Sequence, residues 1–190
     1  LIQTLVEHHV AITSTLAVFE GGTRPPMEPR GLMGRTQELM APVAWSKAMT
    51  ARALSERLGS VFDMLIKKEQ KFEREFVAAG GLLMAGCDPT GDGHTLAGLG
   101  DQHEIELLVE GGFTVPEAIH IATQNGATFL GEEKRIGTVS AGKQADLVLL
   151  DGDLAKNIAT IEMPEIVFKA GVGYDSNAIY KSLRGKVGLQ

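Results

Sequence analysis

A short apolar run, Leu82 to Cys87, follows a long helix-like stretch and ends abruptly at Asp88 and a cluster of glycines, in the sequence GLLMAGCDPTGDG (81–93). A second run of similar character, VAITSTLAVF (10–19), lies upstream and is rich in β-branched residues. Runs this short and this apolar suit strands buried in a sheet. A charged, Ala- and Leu-rich stretch from Ser46 to Ala79 separates them, and more helical pattern follows the second. Strands joined through helices run parallel by right-handed crossovers, so the sequence predicts a parallel α/β sheet or barrel.

The helical stretch 46–79 carries Phe62, Leu65, Ile66, Phe72 and Phe76 on an apolar stripe, with a break expected near Gly59 and a stop at Gly80 and Gly81. Residues 20–45 hold four of the seven prolines (Pro25, Pro26, Pro29 and Pro42) and read as a long irregular connection. Asp101 and Glu104 have the spacing of a capping box for a helix burying Ile105, Leu108 and Val109. Thr114 and Glu117 repeat it before PEAIHIATQNGATFLG, whose Ala118, Ile119 and Ala122 share a face. Beyond Gly131 the pattern turns to short β segments divided by glycines, a small separate β layer, and the tail SNAIYKSLRGKVGLQ predicts one short helix with a basic end. The opening LIQTLVEHHV has no Met and is already amphipathic at Leu1, Ile2, Leu5 and Val6, so it reads as a chain entered inside a helix, a fragment of a longer protein.

Charge and composition narrow the function classes. A net charge of −6 argues against nucleic-acid binding, which wants a clustered basic face. No apolar run approaches the roughly 20 residues of a membrane span, and no basic membrane patch or secretory signal is present in the given sequence. The single Cys87 allows no internal disulfide and leaves the compartment open. The loop GDGHTLAGLG lacks the GK[ST] ending and the GxGxxG spacing of phosphate-cradling loops, so nucleotide binding is not expected.

Asp88 stands at the carboxyl end of its strand, which in α/β barrels is the active-site face. Pro89 and Gly91 are expected to turn the chain away there, so that the carboxylate can point into the mouth. Spacing alone equally allows Asp88 to cap a turn.

The segments GLLMAGCDPTGDG, QHEIELLVEGGFTVPEAIHIATQNGATFLG and IGTVSAGKQADLVLLDGD, taken in that order, resemble the C-terminal part of a metal-dependent amidohydrolase of the imidazolonepropionase-like and prolidase-like branch. The resemblance covers nearly the whole chain. It implies the last two strands of a (β/α)8 TIM barrel within residues 1–135, with 10–19 as the seventh strand and 82–87 as the eighth. It implies strands of a flanking small β-sandwich in 136–175, and leaves a tail at 176–190. In such enzymes the aspartate ending the eighth strand contacts the catalytic metal and shuttles a proton from the metal-bound water to the leaving amine, and that role falls here on Asp88. A bound Zn²⁺ lowers the pKa of its water to about 7, and a nearby carboxylate can take the released proton. Cys87 stands where the family often has Thr or Ser and reads as a packing residue.

The family's other ligands, a His-x-His pair and further strand-end histidines, belong to strands this sequence does not contain. His8 and His9 are adjacent, so their side chains diverge and cannot chelate one ion together. His120 falls within a helix and reads as packed or solvent-facing. His94 and His103 follow the eighth strand, and either a substrate-binding or a supporting role is open to each; Asp92 reads as a turn residue, and Thr13 or Thr15 as structural. With one credible ligand where about three are needed, the chain alone is expected not to hold zinc tightly. The expected reaction of the parent enzyme is metal-dependent hydrolysis of amide or other C–N bonds in a small substrate such as a dipeptide, an N-acyl amino acid or a cyclic amide. Open barrel edges invite homo-oligomerisation or association. The competing readings are a noncatalytic interaction module and one half of a split barrel.

Overall fold

The computed structural model describes residues 1–21, 31–55, 59–89 and 95–188. Helix α1 (Ile2–Glu7) leads to strand β1 (Ile12–Ser14) and helix α2 (Leu16–Gly21), and three helices, α3 (Gly31–Leu39), α4 (Pro42–Ser55) and α5 (Gly59–Ala78), precede strand β2 (Leu83–Ala85). Helices α6 (Leu99–Glu110) and α7 (Val115–His120), a π turn (Ile121–Asn125) and α8 (Gly126–Phe129) follow. The last part holds β3 (Leu147–Leu150), a 3-10 turn (Ile158–Glu162), β4 (Pro164–Lys169), β5 (Val172–Asp175) and α9 (Ser176–Leu183). The fold is α/β. Among the described residues no helix is long and apolar enough to cross a membrane.

β1 and β2 are hydrogen-bonded neighbours and run parallel, with Ile12 opposite Leu83, Thr13 opposite Met84 and Ser14 opposite Ala85. Because side chains alternate along a strand, Ile12, Ser14, Leu83 and Ala85 share one face and Thr13 and Met84 the other. The first face packs on the helices: Leu83, Leu16, Phe76, Leu107 and Leu108 are fully buried in one core that Ile2, Leu5 and Val6 of α1 flank. Burying each such side chain contributes roughly 1.5–3 kcal/mol. Thr13, on the second face, is exposed. Asn125 of the π turn donates from Nδ2 to the Leu83 carbonyl at 2.7 Å, satisfying a β2 backbone group that no strand among the described residues reaches.

Three local expectations are corrected. The run 10–19 is a strand only over Ile12–Ser14, because from Leu16 the chain turns into α2, whose first N–H groups find a carboxylate from α6. The connection 20–45 contains α3 and the start of α4. Its Pro42 sits at the first position of α4, where a missing N–H costs nothing, and the tail closes α3 through Val187 N–H to the Leu39 carbonyl at 3.0 Å and Gly185 N–H to Glu38 at 2.9 Å. The cap of α6 is Gly98, whose N–H donates to Asp101 Oδ2 at 2.9 Å; glycine has no side chain to return the bond, so only half of a capping box forms and Glu104 plays no part in it. Ile105 and Val109 are half-buried there; the residues turned inward are His103, Glu104, Glu106, Leu107 and Leu108.

Elsewhere the local chemistry acts as expected. Thr114 N–H donates to Glu117 at 2.7 Å and Glu117 N–H returns to Thr114 Oγ1 at 3.4 Å, opening α7. Cys87 is buried in the core. β3, β4 and β5 form an antiparallel sheet, with β4 and β5 joined by a two-residue turn, Ala170–Gly171, at φ +51° and +82°. Asp146 steadies that turn by accepting from Ala170 N–H at 2.7 Å and Lys169 Nζ at 2.7 Å.

Candidate functional site

Since β1 and β2 are parallel, their carboxyl ends emerge on the same side of the fold. Three features gather about this end and the adjoining first half of α6: the carboxylate of Asp88, a buried tie between Ser14 and Glu104, and a charged cluster around His103.

Asp88 leaves β2 through Gly86 and Cys87. Gly86 lies so close to β1 that a Cβ there would sit 2.9 Å from Thr13 Cγ2, so a side chain at this position would have to displace the Thr13 methyl. Burial alternates beyond it, with Cys87 buried and Asp88 exposed. Asp88 takes φ +43°, in the left-handed region that Asp tolerates better than most residues, and this turns the chain out of the strand direction.

At the end of β1, Ser14 Oγ donates to Glu104 Oε1 at 2.5 Å, while the N–H groups of Leu16 and Ala17 donate to the same carboxylate at 3.1 and 2.8 Å. Glu104 is wholly buried. Burial pushes its pKa up, against the pull of the three hydrogen bonds and of His103. Glu73 of α5 is 1% exposed and neither of its carboxyl oxygens has a hydrogen-bond partner. Burial, opposed by nearby Ser14 and aided by the charges of Glu104 and Glu69, pushes Glu73 up to about 8, so this carboxyl is mostly neutral at pH 7.

His103 is 4% exposed and buried between carboxylates. Its Nδ1 lies 2.6 Å from Glu106 Oε2 and its Nε2 2.5 Å from Glu20 Oε2. Burial alone would lower the imidazole pKa, but Glu106 and Glu20 outweigh it and push the pKa up to about 10, so both ring nitrogens donate. Glu162 lies beside Glu106 and is held above the usual carboxylate range by burial and by the Glu106 charge. Arg35 reaches in to donate to the Glu162 carbonyl. A cavity of about 660 Å³ adjoins this cluster, lined in part by Arg35, Gln102, Glu162, Tyr174 and Tyr180.

Of the residues expected from sequence, the structure places Asp88 exposed at the strand end and His103 inside the charged cluster, while His94 and Asp92 lie outside the described residues. His8, His9 and His120 are exposed. Sequence reasoning missed Ser14, Glu20, Glu73, Glu104, Glu106 and Glu162. One signal was available: residues 103, 104, 107 and 108 lie on one helix face, so Glu104 shares its side of α6 with Leu107 and Leu108.

A metal centre at Asp88 needs about three protein donors. Among the described residues the group of donors that converges is His103, Glu106 and Glu162, whose ligand atoms lie within 4.8 Å of one another, and Asp88 is not one of them. The described surroundings of Asp88 therefore do not fit a metal centre by themselves.

The sequence profile of the amidohydrolase family matches residues 11–173. A 5-methylthioadenosine/S-adenosylhomocysteine deaminase from Moorella thermoacetica is 39% identical over 84 residues, covering 41% of this chain and 20% of that protein. An imidazolonepropionase from Phocaeicola vulgatus is 58% identical over 40 residues, covering 21% of this chain and 10% of that protein. The chain thus matches no more than a fifth of the length of these curated relatives. A crystal structure of a Xaa-Pro dipeptidase superposes with a TM-score of 0.60 at 21% identity over 92% of this chain and 37% of its own, a likeness of fold. The chain belongs to the amidohydrolase family.

Proposed function

We propose that this chain supplies the last two strands of a (β/α)8 barrel, in residues 1–135, and strands of a flanking β-sandwich, in 136–175, to an enzyme that hydrolyses C–N bonds in small amide or peptide substrates. Amidohydrolases are generally metal-dependent. The observation that carries the reading is the placement of Asp88: a carboxylate exposed at the carboxyl end of a parallel strand, beside a second strand whose far face is bare at Thr13. Further strands paired in the same sheet as β1 and β2 would curl it towards a closed barrel, enclose that face and bring other donors opposite Asp88.

What Asp88 does in this reading follows from its own chemistry. Exposed and at the rim, it accepts a proton as water attacks the substrate carbonyl and returns it to the departing nitrogen, a general-base and then general-acid role that contributes about 10²–10⁴-fold to rate. His94 is the proposed substrate-side residue; the part proposed for His103, buried with both ring nitrogens held by Glu20 and Glu106, is a supporting one, fixing α6 and α2 at the rim. A small-molecule substrate is consistent with the similarity to a 5-methylthioadenosine/S-adenosylhomocysteine deaminase and with the fold shared with a Xaa-Pro dipeptidase.

The reading is tested by incubating the full protein with dipeptides, N-acyl amino acids and cyclic amides and following amine release before and after treatment with a chelator. Release from at least one class, lost on chelation and restored by a divalent ion, is the expected result. No release from any class in a folded, metal-supplied protein contradicts it.

A further inference from the structure

We propose that His103, Glu106 and Glu162 form a binding site for a divalent transition-metal ion of the zinc type, which clamps α6 to the 3-10 turn leading into β4. The proposal is independent of the role given to Asp88.

The geometry carries it. One donor atom from each residue falls within 4.8 Å of the others, and all three residues are more than nine-tenths buried, His103 at 4% exposure, Glu106 at 7% and Glu162 at 8%. His103 and Glu106 are three apart on one face of α6, while Glu162 arrives from the turn packed against that helix. A nitrogen and two carboxylate oxygens suit zinc and its neighbours rather than magnesium or calcium, which prefer all-oxygen shells.

Two further observations point to a cation. Glu106 Oε1 is buried and has no hydrogen-bond partner, although its sister oxygen Oε2 faces His103 Nδ1. A buried carboxylate oxygen left bare is costly, and an ion between the three donors would occupy it. The second observation is Glu20, whose Oε2 holds the other ring nitrogen of His103 at 2.5 Å. A carboxylate on the far nitrogen of an imidazole is the arrangement that orients metal-bound histidines. The ion would take the place of the proton on Nδ1, and Nε2 would keep its bond to Glu20.

Charge accounts for the selectivity for a dication over an empty site. Three buried or half-buried carboxylates, Glu20, Glu106 and Glu162, face one imidazolium and the Arg35 guanidinium that reaches the Glu162 backbone. Exchanging one proton for a doubly charged ion brings the group to balance. Glu162 also lines the adjoining cavity, which offers a route in from solvent.

The test titrates Zn²⁺ into the full chain by calorimetry, in a background where the exposed His8 and His9 are replaced by Gln, and records the visible spectrum with Co²⁺. One ion per chain in the micromolar range or tighter, visible Co²⁺ bands of a low-symmetry nitrogen–oxygen site, and at least tenfold weaker binding in both Glu106→Gln and Glu162→Gln are expected. An ion lost in Asp88→Asn but kept in Glu106→Gln belongs to the strand end and overturns the proposal. A featureless Co²⁺ spectrum together with no Zn²⁺ uptake in the folded chain, or uptake indifferent to both glutamine variants, overturns the proposal and leaves the cluster an ion-pair network only.

Discussion

Ser14 at the end of β1 and Glu104 in the second turn of α6 are joined by a hydrogen bond of 2.5 Å across ninety positions of sequence. The same carboxylate receives the first two N–H groups of α2, so one buried side chain fixes a strand end, a helix start and a second helix. Carboxylates that accept backbone N–H groups at a helix start gain from the helix dipole as well.

Removing Glu104 should therefore cost more than an ordinary core change. Glu104→Ala leaves the Leu16 and Ala17 N–H groups buried without acceptors, at about 3 kcal/mol or more, whereas Glu104→Gln keeps one acceptor oxygen and should cost about 1–2 kcal/mol. Urea midpoints at constant slope check both values. Equal, small losses would show that the tie is not a major support of the fold.

Glu73 sets a pH dependence. Its folded pKa of about 8 lies above the ordinary 4.5, so the native protein keeps a proton that the unfolded chain gives up. Stability is then greatest below about pH 4.5 as far as this group is concerned, and falls as pH rises from there through about 8, by an amount on the order of 5 kcal/mol. Glu104, also shifted upward, adds a loss of the same sign. Glu73→Gln should flatten the decline, most visibly as a higher melting temperature near pH 9, and an unchanged profile would count against a neutral buried carboxyl.

Ala170 holds φ +51° in the turn between β4 and β5. With Gly171 also at positive φ, the turn has the sign pattern of type I′, which favours Asn-Gly or Gly-Gly. Ala170→Gly, and equally Ala170→Asn, should raise stability by roughly 0.5–1 kcal/mol through relief of left-handed strain. Thermal unfolding of the variants decides this, since a loss of stability would mean that Ala170 is not strained.

The parts of the fold legible in sequence were those governed by neighbours in sequence. The Thr114 and Glu117 box, the β4–β5 hairpin and the terminal helix capped by Asp175 all depend on contacts within a few residues. Parallel pairing of the two apolar runs followed from the helices between them. The errors came where distant groups decided local structure. Leu16 begins a helix because an acceptor 88 positions away receives its N–H, and α3 is closed by backbone from the tail.

The site divides in the same way. The position of Asp88 just past a strand end was legible because a polar residue ending an apolar run is a local pattern. The cluster around His103 was not, because its partners Glu20 and Glu162 come from opposite ends of the chain and only packing brings them together. In GTVSAGKQAD the polar residues are structural: Lys143 donates to the Glu133 carbonyl and to Thr138 Oγ1, and Asp146 supports the Ala170 turn.

The most direct test of the central claim is the turnover of Asp88→Asn in the full protein, measured on whichever amide class it hydrolyses and at matched circular dichroism. Asn keeps the shape at the end of β2 but cannot carry a proton. A fall in kcat of at least 10²-fold with the fold intact is predicted. Near-normal turnover would contradict the assignment of Asp88 as the proton carrier.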